Sequence, residues 1–165
     1  MRGEADHTAA WLEARMPEES EVVLLHGDYH LNNFVLGADG TVRAVLDWEL
    51  CTVGDPLADA GQMVAYWNEM RDVDGFFRQP VAALDGFPDA NALGEAYAEA
   101  SGRDVAGLGY WVAFAYWKIA IIVEGVYRRW LNDPQNGSDA GALAPAVVRL
   151  AALARDAADL EVVGR

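Results

Sequence analysis

Residues 22–59 read VVLLHGDYHLNNFVLGADGTVRAVLDWELCTVGDPLAD, and this stretch decides how the rest of the chain is read. An apolar run, Val22 to Leu25, delivers a polar loop, His26-Gly27-Asp28-Tyr29-His30-Leu31-Asn32-Asn33. Two further apolar runs follow, Phe34 to Leu36 and Val42 to Leu46. Asp39-Gly40 between them is a tight-turn signal, so the two runs should pair as a β-hairpin. Closing the hairpin brings its open ends, Asn33 and Asp47, together. Asp28 directly follows an apolar strand and is flanked by His and Asn, which leaves it no capping or surface explanation.

Protein kinases carry an Asp and an Asn in the pattern H-R-D-x-x-x-x-N, the Asp taking the acceptor's proton and the Asn holding magnesium. Asp28 and Asn33 stand at that spacing, with Gly27 in place of the Arg. HGDYHLNN followed by VLDWE and GDPLAD resembles the core of the aminoglycoside/choline phosphotransferase superfamily, the kinase-like small-molecule phosphotransferases. The longer string LDWELCTVGDPLAD is most similar to the branch whose members occur alone or joined to acyl-CoA dehydrogenases. Three motifs in the right order make the match specific, where a lone HGD would be weak.

The resemblance implies roles. Asp28 would orient and deprotonate the acceptor hydroxyl, Asn33 and Asp47 would coordinate the magnesium of bound ATP, and His26 would brace the loop. Asp55 would support the site, although an Asp before Pro56 is also an ordinary helix start, and both readings stay open. Asp59 would be a supporting carboxylate. A competing reading takes His26, Asp28 and His30, joined by Asp47, as the zinc or iron ligands of a metal hydrolase. That reading leaves Asn33 and the GDP segment unexplained. A third takes the chain as a non-catalytic ligand-binding or interaction module.

The fold implied is α+β and mainly helical, a protein-kinase-like C-terminal lobe over residues 1–165 with a short β-hairpin carrying the catalytic and metal loops. A first helix is expected from Thr8 to Met16, stopped by Pro17. A helix opened by Asp55-Pro56 should run to about Met70, burying Leu57, Ala60, Gly61, Val64 and Trp67. Thr52-Val53-Gly54 reads as a turn and 71–88 as an irregular segment. Asp89 caps a helix over Ala90 to Ser101, ended by Gly102. Asp104 should open the longest helix, to about Leu131, whose aromatic residues are expected mostly in the core. A loop over 132–141 and a last helix from Leu143 or Pro145 to Leu160 complete the chain.

The chain has 165 residues, 53% of them hydrophobic, enough for one domain with its own core. Its net charge of −14 and lack of a basic stripe argue against nucleic acid as a partner. One cysteine, Cys51, and an N-terminus without an apolar core fit a cytoplasmic location. The longest apolar run, Trp111 to Val123, is interrupted by Lys118 and shorter than the roughly 20 residues of a membrane span. No membrane partner is expected.

A complete kinase-like enzyme carries a Gly-rich phosphate loop and a strand lysine before its catalytic loop. This sequence has no such loop, and its single lysine is Lys118. The N-terminal nucleotide lobe is therefore expected to be absent, supplied by another polypeptide segment or another chain, and a lobe cut from that partner should expose an apolar patch or form a homodimer through it. Little activity is expected of the chain alone. The acceptor would be a small hydroxylated molecule, and the branch resemblance suggests a hydroxyacyl-CoA.

Overall fold

The computed structural model describes residues 2–18, 21–68, 85–133 and 143–163. The expected segment over 71–88 lies outside them apart from 85–88, and the loop over 132–141 lies outside apart from its first two residues. Elements follow in the order α1 (Arg2–Ala14), β1 (Val23–Leu25), β2 (Phe34–Leu36), β3 (Val42–Val45), β4 (Thr52–Gly54), α2 (Leu57–Asn68), α3 (Ala90–Ser101), α4 (Leu108–Asn132) and α5 (Leu143–Val163). The architecture is α+β and mainly helical, as expected.

The strands form two small antiparallel sheets. In the first, β2 pairs β3 with Phe34 opposite Val45 and a bulge between Val35 and Leu36. Gly40 closes its turn at φ +78°, a conformation glycine adopts without strain. Asp39 fixes the turn by accepting from the Thr41 hydroxyl at 2.7 Å and the Arg43 guanidinium at 2.9 Å. In the second, β1 pairs β4, Leu25 opposite Thr52. This corrects the expected turn at Thr52-Val53-Gly54, which is a strand because β1 supplies its partner.

Helix α4 is the core of the helical layer, packed against α2 on one side and α5 on another. Val123, Leu150 and Ala154 at this junction are fully buried. Removing a side chain such as Leu150 would cost about 2–5 kcal/mol, the transfer free energy plus the cavity left behind. Gly61 of α2 sits where an added Cβ would lie 2.6 Å from the Trp111 carbonyl carbon, so the absent side chain lets α2 and α4 approach closely. The α4 aromatics serve the core, Tyr110 and Tyr116 buried and Trp117, Tyr127 and Trp130 packed against it. By length and composition α4 could cross a membrane. In this fold it is the central core helix.

Two helix starts differ from expectation. Helix α1 begins at Arg2 rather than Thr8, its polar first turns being held by α4 through the Trp117 indole N–H, which donates to the Ala5 carbonyl at 3.1 Å. Helix α4 begins at Leu108 rather than Asp104, because the Asp104 carboxylate closes a turn on the Ala106 N–H instead of capping the helix. Helix α3 keeps the expected ends, with Asp89 accepting from the Ala92 N–H at 2.8 Å and Gly102 at φ +70°.

Candidate active site

The loop that leaves β1 is tied down along its backbone at His26 and Gly27. Gly27 adopts φ +80°, and an added Cβ would lie 2.2 Å from the Leu50 carbonyl oxygen. Only glycine fits there, which explains why the Arg of the kinase pattern is missing. Asp59, in the first turn of α2, accepts the His26 N–H at 2.6 Å and the Gly27 N–H at 2.9 Å. Charge-assisted bonds of this kind are the stronger ones.

His26 is 2% exposed. Its Nδ1 accepts from the Asp28 N–H at 3.2 Å, so its Nε2 carries the ring proton and donates to the Leu46 carbonyl at 2.7 Å. Both ring nitrogens therefore serve the backbone. His30 is committed in the same way, with Nδ1 accepting from the Asn32 N–H and Nε2 donating to Asp28 Oδ2 at 3.3 Å. Among the described residues no group of three or more His, Cys, Asp or Glu could hold a metal ion. The zinc or iron hydrolase expectation has no ligand set there.

Asp28 lies at the centre of the site. Its Oδ1 accepts from Gln62 Nε2 at 2.9 Å, while Oδ2 accepts from His30 and, at 3.3 Å, from Asn33 Nδ2. The Tyr66 phenol also hydrogen-bonds this carboxylate and stacks on His30, ring centroids 4.4 Å apart. The His30 hydrogen bond, with help from Asn33 and from the Lys118 charge, holds the Asp28 carboxyl below the usual carboxylate range against the opposing effect of burial. Burial above all, and then the Asp28 charge, pushes the Tyr66 phenol up. Asp28 thus stays an anion able to accept a proton.

Asn33 and Asp47 are brought together by the hairpin. The Leu46 N–H donates to the Asn33 carbonyl at 2.8 Å, so Asp47 begins one residue beyond a bond to Asn33. Asn33 Nδ2 also donates to the Asp28 carbonyl at 2.8 Å, which turns its Oδ1 away from the Asp28 backbone. Asp47 sits at φ +67°, the single non-glycine residue with positive φ among those described, and its side chain makes no capping bond. A positive φ at a residue whose carboxylate makes no capping bond singles out Asp47 as a candidate for functional use. Asn33 Oδ1 and the Asp47 carboxylate are hard oxygen donors, few in number, and suit magnesium, which keeps waters and substrate phosphates as its other ligands. Asp55 is a cap: its Oδ1 accepts the Leu57 N–H at 2.8 Å and opens α2.

Two residues of the site were not legible in the sequence, Gln62 and Lys118. Lys118 Nζ donates to the Gly27 carbonyl and, at 2.9 Å, to Gln62 Oε1, whose amide reaches Asp28. Burial lowers the Lys118 pKa, and the charges of Asp28 and Asp59 partly restore it. The signal for Lys118 was its isolation, since a lysine inside an apolar helix needs a buried partner. A pocket of about 480 Å³ opens between β1, α2 and α3; Tyr29, Asp59 and Arg103 reach its wall and Asp28 does not.

The sequence profile of the phosphotransferase enzyme family matches residues 2–102, more than half of the chain. The chain belongs to this family. Among curated proteins, this phosphotransferase-family chain is 33% identical over 156 residues to mouse acyl-CoA dehydrogenase family member 10, covering 92% of itself and 14% of that protein. It is 32% identical over 145 residues to human acyl-CoA dehydrogenase family member 11, covering 86% of itself and 19% of that protein. Among solved structures, it matches a candidate aminoglycoside phosphotransferase of Ralstonia eutropha at 29% identity and TM-score 0.80, covering 95% of itself and 49% of that chain. The phosphotransferase-family chain therefore spans under a fifth of these curated relatives and about half of the solved one.

Proposed function

We propose that the chain is the catalytic lobe of an ATP- and magnesium-dependent O-phosphotransferase acting on a small hydroxylated molecule. Asp28 orients the acceptor hydroxyl and takes its proton. Asn33 and Asp47 hold the divalent ion, and His26 and Asp59 keep the loop in shape. Bound magnesium and ATP supply the phosphoryl group and neutralise the charge that develops on it. The observation that carries this reading is the Asp28 carboxylate, kept anionic and aimed by Gln62, beside an Asn33 and Asp47 pair joined by the hairpin.

Nucleotide anchoring falls to residues beyond these 165, in another segment or another chain. The sequence has no Gly-rich phosphate loop. Val22, Leu24 and Val53 stand 57–67% exposed on and beside the small sheet, apolar surface suited to a covering partner. The names of the curated relatives favour a hydroxyacyl-CoA as acceptor, and the single cysteine favours a cytoplasmic setting.

The test is phosphate transfer from ATP to hydroxyacyl-CoA compounds and other small alcohols. A polypeptide that carries this sequence together with a nucleotide-binding lobe should transfer phosphate, and Asp28→Asn should lower kcat by about 10²–10⁴, the usual worth of a positioned base. The 165-residue chain alone should transfer little. Vigorous transfer by the chain alone, or an active Asp28→Asn variant, would refute the reading.

A further inference from the structure

Asp28 Oδ1 and Oδ2 are not held alike. Oδ2 accepts from His30 and Asn33, both at 3.3 Å, and Oδ1 accepts from Gln62 at 2.9 Å, while the Tyr66 phenol also bonds the carboxylate. Gln62 can give that bond only if its amide is turned with the nitrogen toward Asp28. Its Oε1 is fixed in the opposite sense by Lys118, whose ammonium has only hydrogens to offer. Lys118 is in turn tied to the Gly27 carbonyl. The chain of contacts therefore runs from the loop backbone through α4 to α2 and back to the carboxylate.

We infer that Lys118 and Gln62 are positioning residues for the proposed phosphoryl transfer: Lys118 fixes the Gln62 amide, and Gln62 in turn fixes the orientation of the Asp28 carboxylate. The inference rests on the reading of Asp28 as the base. Lysine is the residue type that fits, because glutamine at position 62 flips freely unless its oxygen meets a group that cannot accept. The groups facing Asp28 are His30 and Asn33 from its own loop, Gln62 and Tyr66 from α2 and Lys118 from α4; Asp28 and Asp59 are the acidic groups whose charges act on Lys118. The close approach of α2 and α4 at Gly61 and Trp111 is what permits this contact.

Lys118 is the single lysine, so its ammonium gives a unique side-chain nitrogen signal in NMR. In the 165-residue chain at fixed neutral pH, Gln62→Leu should abolish the protected Lys118 ammonium signal. Lys118→Met should move both the Gln62 side-chain amide and the Asp28 carboxyl carbon resonances. Arg128→Met, on the same helix but paired with Glu124 on the surface, should move neither. In the transfer assay, Lys118→Met and Gln62→Leu should lower kcat by about 10²-fold with the acceptor KM unchanged, as a small misplacement of a reacting group does. Lys118→Arg, which keeps the donor, should recover most of the loss. Unmoved Asp28 and Gln62 resonances in Lys118→Met, or an unchanged kcat, would overturn the inference. Activity that survives Asp28→Asn would instead bring down the reading of the base itself, so the two failures are separable.

Discussion

Asp59 and Gly27 are joined by a 2.9 Å bond from the loop N–H to a carboxylate oxygen 32 residues away, and the other oxygen of the same group takes the His26 N–H at 2.6 Å. Helix α2 thus holds the loop that presents Asp28. Asp59→Ala would leave two N–H groups of a half-buried loop without an acceptor. Unsatisfied donors of this kind cost about 1–3 kcal/mol each. Urea unfolding of Asp59→Ala should show a loss of about 3 kcal/mol, while Asp59→Asn, which retains one acceptor, should lose less.

Gly27→Ala should be worse tolerated than its size suggests. The added methyl would meet the Leu50 carbonyl oxygen, and the residue would keep a left-handed φ. The conformation alone costs about 1–2 kcal/mol, and relieving the clash means shifting the short turn over Trp48–Leu50. The urea midpoint should fall accordingly, and the His26 and Trp48 ring contact at 4.7 Å should be lost from the NMR spectrum.

Much of this architecture is legible locally. The Asp39-Gly40 turn, the Asp89 cap and the Gly102 stop act through neighbours a few residues away, and the expected elements form there. Strand β4 was not legible because Thr52-Val53-Gly54 is a strand only through β1, its distant partner, and strand formation depends on such context. The site divides in the same way. Asp28, Asn33 and Asp47 fall within one contiguous stretch and can be read from spacing. Gln62 meets Asp28 across 34 residues and Lys118 meets Gly27 across 91, so only the packed α2 and α4 reveal them. Asp55 illustrates a residue with two readings, of which the Leu57 N–H shows the capping one.

Lys118 should leave a signature in alkaline solution. Burial lowers its pKa below the value of about 10.4 that it has in the unfolded chain. The unfolded chain then binds more protons between the two values, so stability rises with pH across that window. Below the folded pKa the cost of burying the ammonium is fully present; it is relieved as pH climbs toward the unfolded value. The difference in unfolding free energy between the wild type and Lys118→Met should move in favour of the wild type as pH rises from neutrality toward 10.4. A flat difference would mean that the ammonium is not desolvated.

Asp47→Asn should hardly change stability. The side chain makes no capping bond, and asparagine tolerates the left-handed conformation as well as aspartate does. Unfolding free energies within about 0.5 kcal/mol of wild type are expected, the range of an uninvolved surface change. The substitution therefore isolates the carboxylate's role from its structural surroundings.

That makes Asp47→Asn the instrument for the central claim, that Asn33 and Asp47 hold one divalent ion beside Asp28. The measurement is Mn²⁺ titration of the backbone amide resonances, the ion standing in for Mg²⁺. Resonances of Asp28, Asn33 and Asp47 should broaden together at the lowest Mn²⁺ concentrations, and Asp47→Asn should remove that broadening while leaving weaker effects elsewhere on the acidic surface. Broadening that begins at other carboxylates, or that persists unchanged in Asp47→Asn, would contradict the account.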